Sequence, residues 1–345
     1  MARALAEAGL PLSAAASADP SPDAQGWVTC GDLRVKGGAY GVDFTYTPGA
    51  VQYNGADYGT SDVVEVLTSA PLVFSDAAGH GKDTPGATGI QVNPGVHADI
   101  TLNGVHVSHT IPLNIITDCT STENGSKASD STQLQTRTEL YLVVSDRSDN
   151  SLSSHENYRP GIRCGEGANL TIDYETRNID SAGNEVVPVG GIINHETTLI
   201  GGKHLKKGEV HTTLDSEEPG SLTVEGGYGA SAIGGGMAET GGRITINGGA
   251  ILARAYYGTK NTDTGAGIGG GAGGEGSDEV ITYNSGTIEV HGGYHGAGTG
   301  AGCWLTTDPS PYATPDAICS RTWGAPNAGD ITINGGCITS IGGYC

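Results

Sequence analysis

The chain has 345 residues, of which 58 are Gly and only 2 are Phe, 2 Met and 3 Trp, a composition that does not fit a large core of aromatic or Leu side chains. Lys and Arg total 17 against 38 Asp and Glu, a formal charge of −21, which repels phosphate backbones and anionic headgroups and so argues against nucleic acid and membrane surfaces as partners. The same acidity suits an exposed surface and leaves carboxylates for Ca²⁺. No apolar run approaches the ~20 residues of a membrane-crossing helix.

Residues 1–26 are rich in Ala, Ser and Pro, but Glu7 and Pro11 interrupt them and no apolar core of a signal peptide forms, so a disordered leader is expected there. Residues 27–220 carry short alternating segments such as Val63-Val64-Glu65-Val66-Leu67 and Leu140-Tyr141-Leu142-Val143-Val144, the period-2 pattern of half-buried strands. Polar stretches at Thr120 to Arg137, Asn178 to Glu185 and Lys203 to Glu218 are expected to project as loops.

The informative region is 221–345, where one phrase returns. Ile244-Thr245-Ile246-Asn247-Gly248-Gly249 recurs as Ile331-Thr332-Ile333-Asn334-Gly335-Gly336 and, more loosely, as Ile281-Thr282-Tyr283-Asn284-Ser285-Gly286. Fainter copies are Ile100-Thr101-Leu102-Asn103-Gly104, Leu170-Thr171-Ile172-Asp173 and Leu222-Thr223-Val224-Glu225. A second phrase precedes most of them, at Gly89-Ile90, Gly161-Ile162, Gly191-Ile192, Ala232-Ile233-Gly234 and Gly267-Ile268-Gly269. An Ile-Thr-Ile segment turns two aliphatic side chains to one face, and the Asn-Gly-Gly after it permits the sharp bend into the next strand. Three such strands per repeat, stacked about 4.8 Å apart on the next three, predict an all-β fold, a right-handed parallel β-helix with irregular loop insertions. A β-propeller fits less well, because its blades need hairpin-linked antiparallel strands of even length. The last copy, Ile338 to Cys345, stops where its sister at Thr287 runs on, so a further C-terminal region or another chain is expected to cover the final edge.

The phrases Gly265-Ala266-Gly267-Ile268-Gly269-Gly270-Gly271 and Gly242-Arg243-Ile244-Thr245-Ile246-Asn247-Gly248-Gly249 resemble the glycine-rich β-helix repeats of large bacterial cell-surface and carbohydrate-binding-domain-containing proteins. The resemblance covers about Ser221 to Cys345. It implies the β-helix and an extracellular or cell-surface location, and it carries no catalytic motif.

The candidate residues follow from this frame. Gly-Gly-Tyr triplets set Tyr228, Tyr294 and Tyr344 at equivalent places, with Tyr257 nearby. Their rings are expected either to offer an exposed platform for sugar rings or to steady the fold by packing on one another. Trp304 and Trp323 lie in an irregular insertion and are further sugar-contact candidates, while Cys303 and Cys319 bracket it as a candidate disulfide. Asn103, Asn247, Asn284 and Asn334 are expected to form a structural ladder at the bend. Gly273 to Ile281 fits a calcium-binding nonapeptide with Asp278 as ligand, though no second copy adjoins it to share a Ca²⁺ ion. His97, His106 and His109 read as scattered surface residues, because His106 has the opposite parity on an unbroken strand. Asp43, Asp57 and Asp62, and Asp146, Asp149 and Asp173, are two trios from which a carboxylate pair could come.

No required cofactor is expected. The function expected is a non-catalytic surface module for adhesion or carbohydrate binding, with glycans or host and cell-surface components as partners. The alternatives are a carbohydrate-active β-helix enzyme, a glycoside hydrolase or polysaccharide lyase, and a structural spacer of a larger surface protein.

Overall fold

The computed structural model describes residues 20–51, 60–117, 137–174, 192, 196–198, 204–209, 219–257, 264–274, 280–303 and 328–343. Among these residues no helix occurs, and almost every strand belongs to one of three sheets. The first sheet has nine strands, in spatial order Trp27–Cys30, Leu33–Lys36, Leu72–Asp76, His97–Leu102, Thr138–Val144, Ala168–Tyr174, Arg243–Ile246, Val280–Tyr283 and Asp330–Ile333. The second has six, His106–His109, Asp149–Ser154, Ser221–Glu225, Ala250–Arg254, Thr287–His291 and Cys337–Ile341. The third has eight, Phe44–Val51, Thr60–Val66, Gly89–Val92, Leu113–Ile115, Ile162–Cys164, Ile233–Gly234, Ile268–Gly269 and Thr299–Gly300. From His97 onward, apart from the antiparallel pair Thr197–Thr198 and His204–Leu205, the described strands fall in the first, second and third sheets in constant rotation, so each of them pairs with strands from the neighbouring visits and not with its sequence neighbour.

Parallel pairing places like on like. In the first sheet Leu140, Leu170, Ile244, Ile281 and Ile331 follow one another in register, as do Leu142, Ile172, Ile246, Tyr283 and Ile333. Leu152, Val224, Ala253 and Val290 do so in the second sheet, and Ile162, Ile233 and Ile268 in the third. Strand Thr138–Val144 alternates strictly between buried and half-buried positions. Aliphatic side chains of all three sheets meet in a single core cluster. The core is narrow, so β-branched and Leu side chains fill it, each contributing roughly 1.5–3 kcal/mol on burial.

The bends are where glycine is obligatory. In the third sheet Gly234 and its register partner Gly269 both have φ of 132°. A Cβ on Gly234 would stand 2.0 Å from the carbonyl oxygen of Gly269, so the repeated Ile-Gly dipeptide records contact between successive backbones as well as an unusual dihedral.

Four sequence expectations need correction. The pairings among the strands before residue 67 are antiparallel, Trp27–Cys30 with Leu33–Lys36 and Phe44–Val51 with Thr60–Val66, and Leu33–Lys36 is also antiparallel to Leu72–Asp76, whereas Thr60–Val66 pairs parallel with Gly89–Val92 on its other side. The two-residue turn at Gly31 and Asp32 forces the first of these reversals, and Val28, Leu33, Val35 and Phe44 still join the common core. Of the copy at Gly191-Ile192 only Ile192 is among the described residues; it is 60 % exposed, and in the third sheet Ile162 pairs directly with Ile233. The copy beginning at Ile100 lies two residues out of phase with the copy at Ile244, because Ile100 pairs with Leu142 and through Ile172 with Ile246. A slip of two preserves which side chains face the core, so burial does not oppose it. Finally, His97 and His106 do not share a strand, since a bend at Asn103 and Gly104 carries the chain from the first sheet to the second.

Of the expected leader over 1–26, residues 1–19 lie outside the described residues, as do nearly all of the expected loop from Thr120 to Arg137 and that from Asn178 to Glu185.

Ile246 is fully buried and Thr245 half-buried on the opposite side of the strand. Ile246→Ala is expected to lower unfolding free energy by about 3 kcal/mol in urea titration, and Thr245→Ala to change it by less than about 0.5 kcal/mol. Equal losses would contradict the assigned facing.

Candidate functional site

The Gly-Gly-Tyr triplets fall at the passage from the second sheet to the third, and the structure gathers tyrosines there. Tyr158 follows strand Asp149–Ser154, Tyr228 follows Ser221–Glu225, Tyr256 and Tyr257 follow Ala250–Arg254, and Tyr294 follows Thr287–His291. The rings of Tyr158 and Tyr228 lie 5.4 Å apart at 69°, and those of Tyr228 and Tyr256 lie 6.1 Å apart at 66°. Tyr257 and Tyr294 lie 5.9 Å apart at 69°, and Tyr294 meets the His295 ring at 4.6 Å and 73°. The contacts are edge-to-face, which the ring quadrupoles favour over a face-to-face stack. Tyr158, Tyr256 and Tyr257 remain 38 %, 52 % and 52 % exposed, whereas Tyr228 and Tyr294 are half-buried between their neighbours.

Glycine lets this corner form. A Cβ on Gly227 would lie 1.8 Å from the Glu156 carbonyl oxygen, and one on Gly293 would lie 2.6 Å from that of Tyr256. The glycines thus bring successive backbones together just before the tyrosine, and Tyr294 N–H donates to the Tyr257 carbonyl at 3.1 Å. Tyr158 sits in the left-handed region with φ of 68°, a conformation that costs a non-glycine residue of order 1–3 kcal/mol. Backbone hydrogen bonds hold it on both sides: its N–H donates to the Tyr228 carbonyl and its carbonyl accepts from Met237 N–H. The turn carrying Met237 is pinned by Glu239, which takes a bidentate contact from Arg163 at 2.9 and 3.0 Å and accepts Gly236 N–H. Burial is the largest influence and works to raise the Glu239 carboxyl, but Arg163, the Gly236 N–H and Arg159 together hold the group below the usual carboxylate range.

Tyr158 and Tyr256 escaped the sequence reading. Tyr158 has no Gly-Gly before it, and its position four residues ahead of Ile162 was the available signal. Tyr256 adjoins Tyr257 but belongs to a different ring pair.

A second feature lies on the outer face of the first sheet. Asn334 Nδ2 donates to Asn284 Oδ1 at 2.7 Å, Asn284 Nδ2 to Asn247 Oδ1 at 2.8 Å, and Asn247 Nδ2 to Asp173 Oδ2 at 3.4 Å. The expected asparagine ladder therefore exists, made of side chain to side chain bonds, and ends on a carboxylate. Asn103 is not in it, because of the two-residue offset of its strand. Tyr141 Oη donates to Asp173 Oδ2 at 2.6 Å and Tyr174 N–H to Asp173 Oδ1 at 2.9 Å, yet burial prevails and raises the Asp173 pKa. In the neighbouring register row His97 Nδ1 stands 3.2 Å from Glu139 Oε2, and Asn169 Nδ2 donates to Glu139 Oε1 at 3.0 Å.

The remaining candidates disperse. His97 is exposed, but His106 and His109 are buried, which corrects the expectation of surface histidines. His106 Nδ1 lies 2.7 Å from Asp76 Oδ2, while its Nε2 is buried without a hydrogen-bond partner. Burial lowers the His109 pKa. Among the described residues no group of three His, Cys, Asp or Glu is placed to hold a metal ion. Asp43 accepts from Ala39 N–H and Thr68 Oγ1, Asp62 from Tyr46 Oη and Gly49 N–H, and Asp149 pairs with Lys82 at 2.8 Å. Asp149 and Asp173 sit on different sheets, so that trio does not assemble. Cys303 exchanges backbone hydrogen bonds with Thr264. Cys319, Trp304, Trp323, Asp278, Asp57 and Tyr344 lie outside the described residues.

No family model, curated protein or solved structure matches this chain.

The Asp173 pKa is raised in the fold, so the native state binds its proton more tightly than the unfolded state does, and stability from this group is lost as pH rises through the folded value. Relative to Asp173→Asn, the natural protein is expected to gain Tm as pH falls from 7 toward about 4. Thermal melts of the two proteins across that range test this, and a constant difference would refute it.

Proposed function

We propose that the three sheets are the faces of one right-handed parallel β-helix, and that the protein is an extracellular or cell-surface module that binds carbohydrate, in adhesion, without catalysis. The constant rotation through the sheets, the in-register stacking and the single shared core support the β-helix. The observation that carries the binding reading is the tyrosine corner, with Tyr158, Tyr256 and Tyr257 exposed on rings braced from behind by Tyr228 and Tyr294. A ring held in place beforehand loses little entropy on binding, and its apolar face suits the CH surface of a sugar. The charge of −21 discourages anionic surfaces and leaves neutral glycans of host or cell surfaces as the fitting partners.

The test joins a glycan array to a reducing-end release assay on mucin and plant polysaccharides. Binding without release is expected, with the double variant Tyr256→Ala, Tyr257→Ala weakening it by about tenfold or more, the 1.4 kcal/mol scale of lost aromatic contact. Release of reducing ends would favour a carbohydrate-active enzyme instead. Silence in both assays would leave a structural spacer.

A further inference from the structure

The outer face of the first sheet holds a second concave feature. Six side chains form a grid there, with Glu139, Asn169 and Arg243 in one register row and Tyr141, Thr171 and Thr245 in the next. The middle strand contributes the short Asn169 and Thr171, while Glu139 and Tyr141 rise on one side and Arg243 on the other. The difference in side-chain length opens a depression of about 370 Å³. That volume lies at the lower end of small-molecule sites, roughly 300–1,000 Å³. Strand spacing sets its walls roughly 10 Å apart, the span of one sugar ring with its hydroxyls.

The polar groups are complementary in kind. Glu139, which already meets His97 Nδ1 and Asn169 Nδ2, can only accept hydrogen bonds and Arg243 can only donate them, so the two walls present groups of opposite kind. Between them, Asn169 directs Nδ2 to Glu139 and leaves its Oδ1 screened from solvent with nothing donating to it. An acceptor in that state costs about 1–3 kcal/mol. Thr171 and Thr245 add hydroxyls that serve either role, and Tyr141, its Oη tied to Asp173, adds an apolar ring. Vicinal hydroxyls, each both donor and acceptor, meet these demands together. A ligand carboxylate is disfavoured: the lining balances Glu139 against Arg243, and just outside it two carboxylates, Asp99 and Asp173 beside Tyr141, stand against the single imidazole of His97 on Glu139.

We propose that this depression is a carbohydrate subsite separate from the tyrosine corner, taking one neutral pyranose and rejecting uronic acids. The inference rests on the reading of the chain as a carbohydrate-binding module. In it Arg243 donates to one hydroxyl, Glu139 accepts from a neighbouring one, and Tyr141 packs on the ring.

The test is saturation-transfer NMR on the full chain, titrated with glucose, galactose, mannose and N-acetylglucosamine, and with glucuronate and galacturonate. At least one neutral sugar is expected to saturate at millimolar concentration and the uronates to give no signal. Thr171→Trp, an outward position where a large side chain fills the depression, is expected to weaken that binding by about tenfold or more, with Tm retained. Arg243→Gln should do the same without adding bulk. The Tyr256→Ala, Tyr257→Ala background is expected to leave this binding unchanged. Uronates that bind as well as neutral sugars, indifference to both Thr171→Trp and Arg243→Gln, or no saturation by any neutral sugar would overturn the subsite. Array binding that persists and depends on the tyrosines, while the monosaccharide titration fails, would sink this inference alone. Loss of both would sink the reading beneath it.

Discussion

In-register parallel pairing is the constraint on which everything else depends. A parallel strand finds its partners one full visit to the sheets away, so every backbone group is satisfied only if successive repeats agree in phase across all three sheets. The hydrophobic pattern enforces that agreement. A one-residue slip would turn the aliphatic column outward, and the sequence avoids it throughout. A two-residue slip costs no burial, and the strand His97–Leu102 uses that freedom.

Close backbone approach is the second consequence. From Leu113 onward the strands of the third sheet are short, and the links into those after Ile162 fold tightly against those of the preceding repeat, where no Cβ fits. Glycine at 227 and 293 meets this demand in the links, as Gly234 does within the strand, and Gly227 and Gly293 fix where the following tyrosine leaves the chain. The aromatic corner is thus produced by the repeat and not added to it. Its one strained member, Tyr158, is held by backbone contacts to Tyr228 and Met237 and, behind those, by the Arg163–Glu239 pair.

Polar side chains on the outer face obey the same spacing. Residues of the same type one strand apart stand close enough for amide to bond amide, so the Asn284–Asn247 and Asn334–Asn284 bonds recur at nearly equal length. Where the repeat departs from Asn, at Asp173, the ladder acquires a carboxylate with a raised pKa. Where long side chains flank short ones, at Glu139, Asn169 and Arg243, the face acquires a depression. Irregularity in the repeat is therefore where chemistry enters.

The amino-acid sequence by itself determined the strands, their buried faces and the residues at their bends, because these depend on local alternation and on glycine's backbone freedom. Ile244, Ile281 and Ile331 open the same repeated phrase, and they do stack. The sequence also indicated Tyr228, Tyr257 and Tyr294. Only the tertiary structure decided which repeats adjoin: it left Ile192 exposed and set Ile162 beside Ile233, shifted the copy at Ile100, paired the first strands antiparallel, buried His106 and His109, and brought Tyr158 and Tyr256 to the corner. Adjacency across a sheet is a contact between residues dozens of positions apart, and alternation constrains it only to an even number of residues.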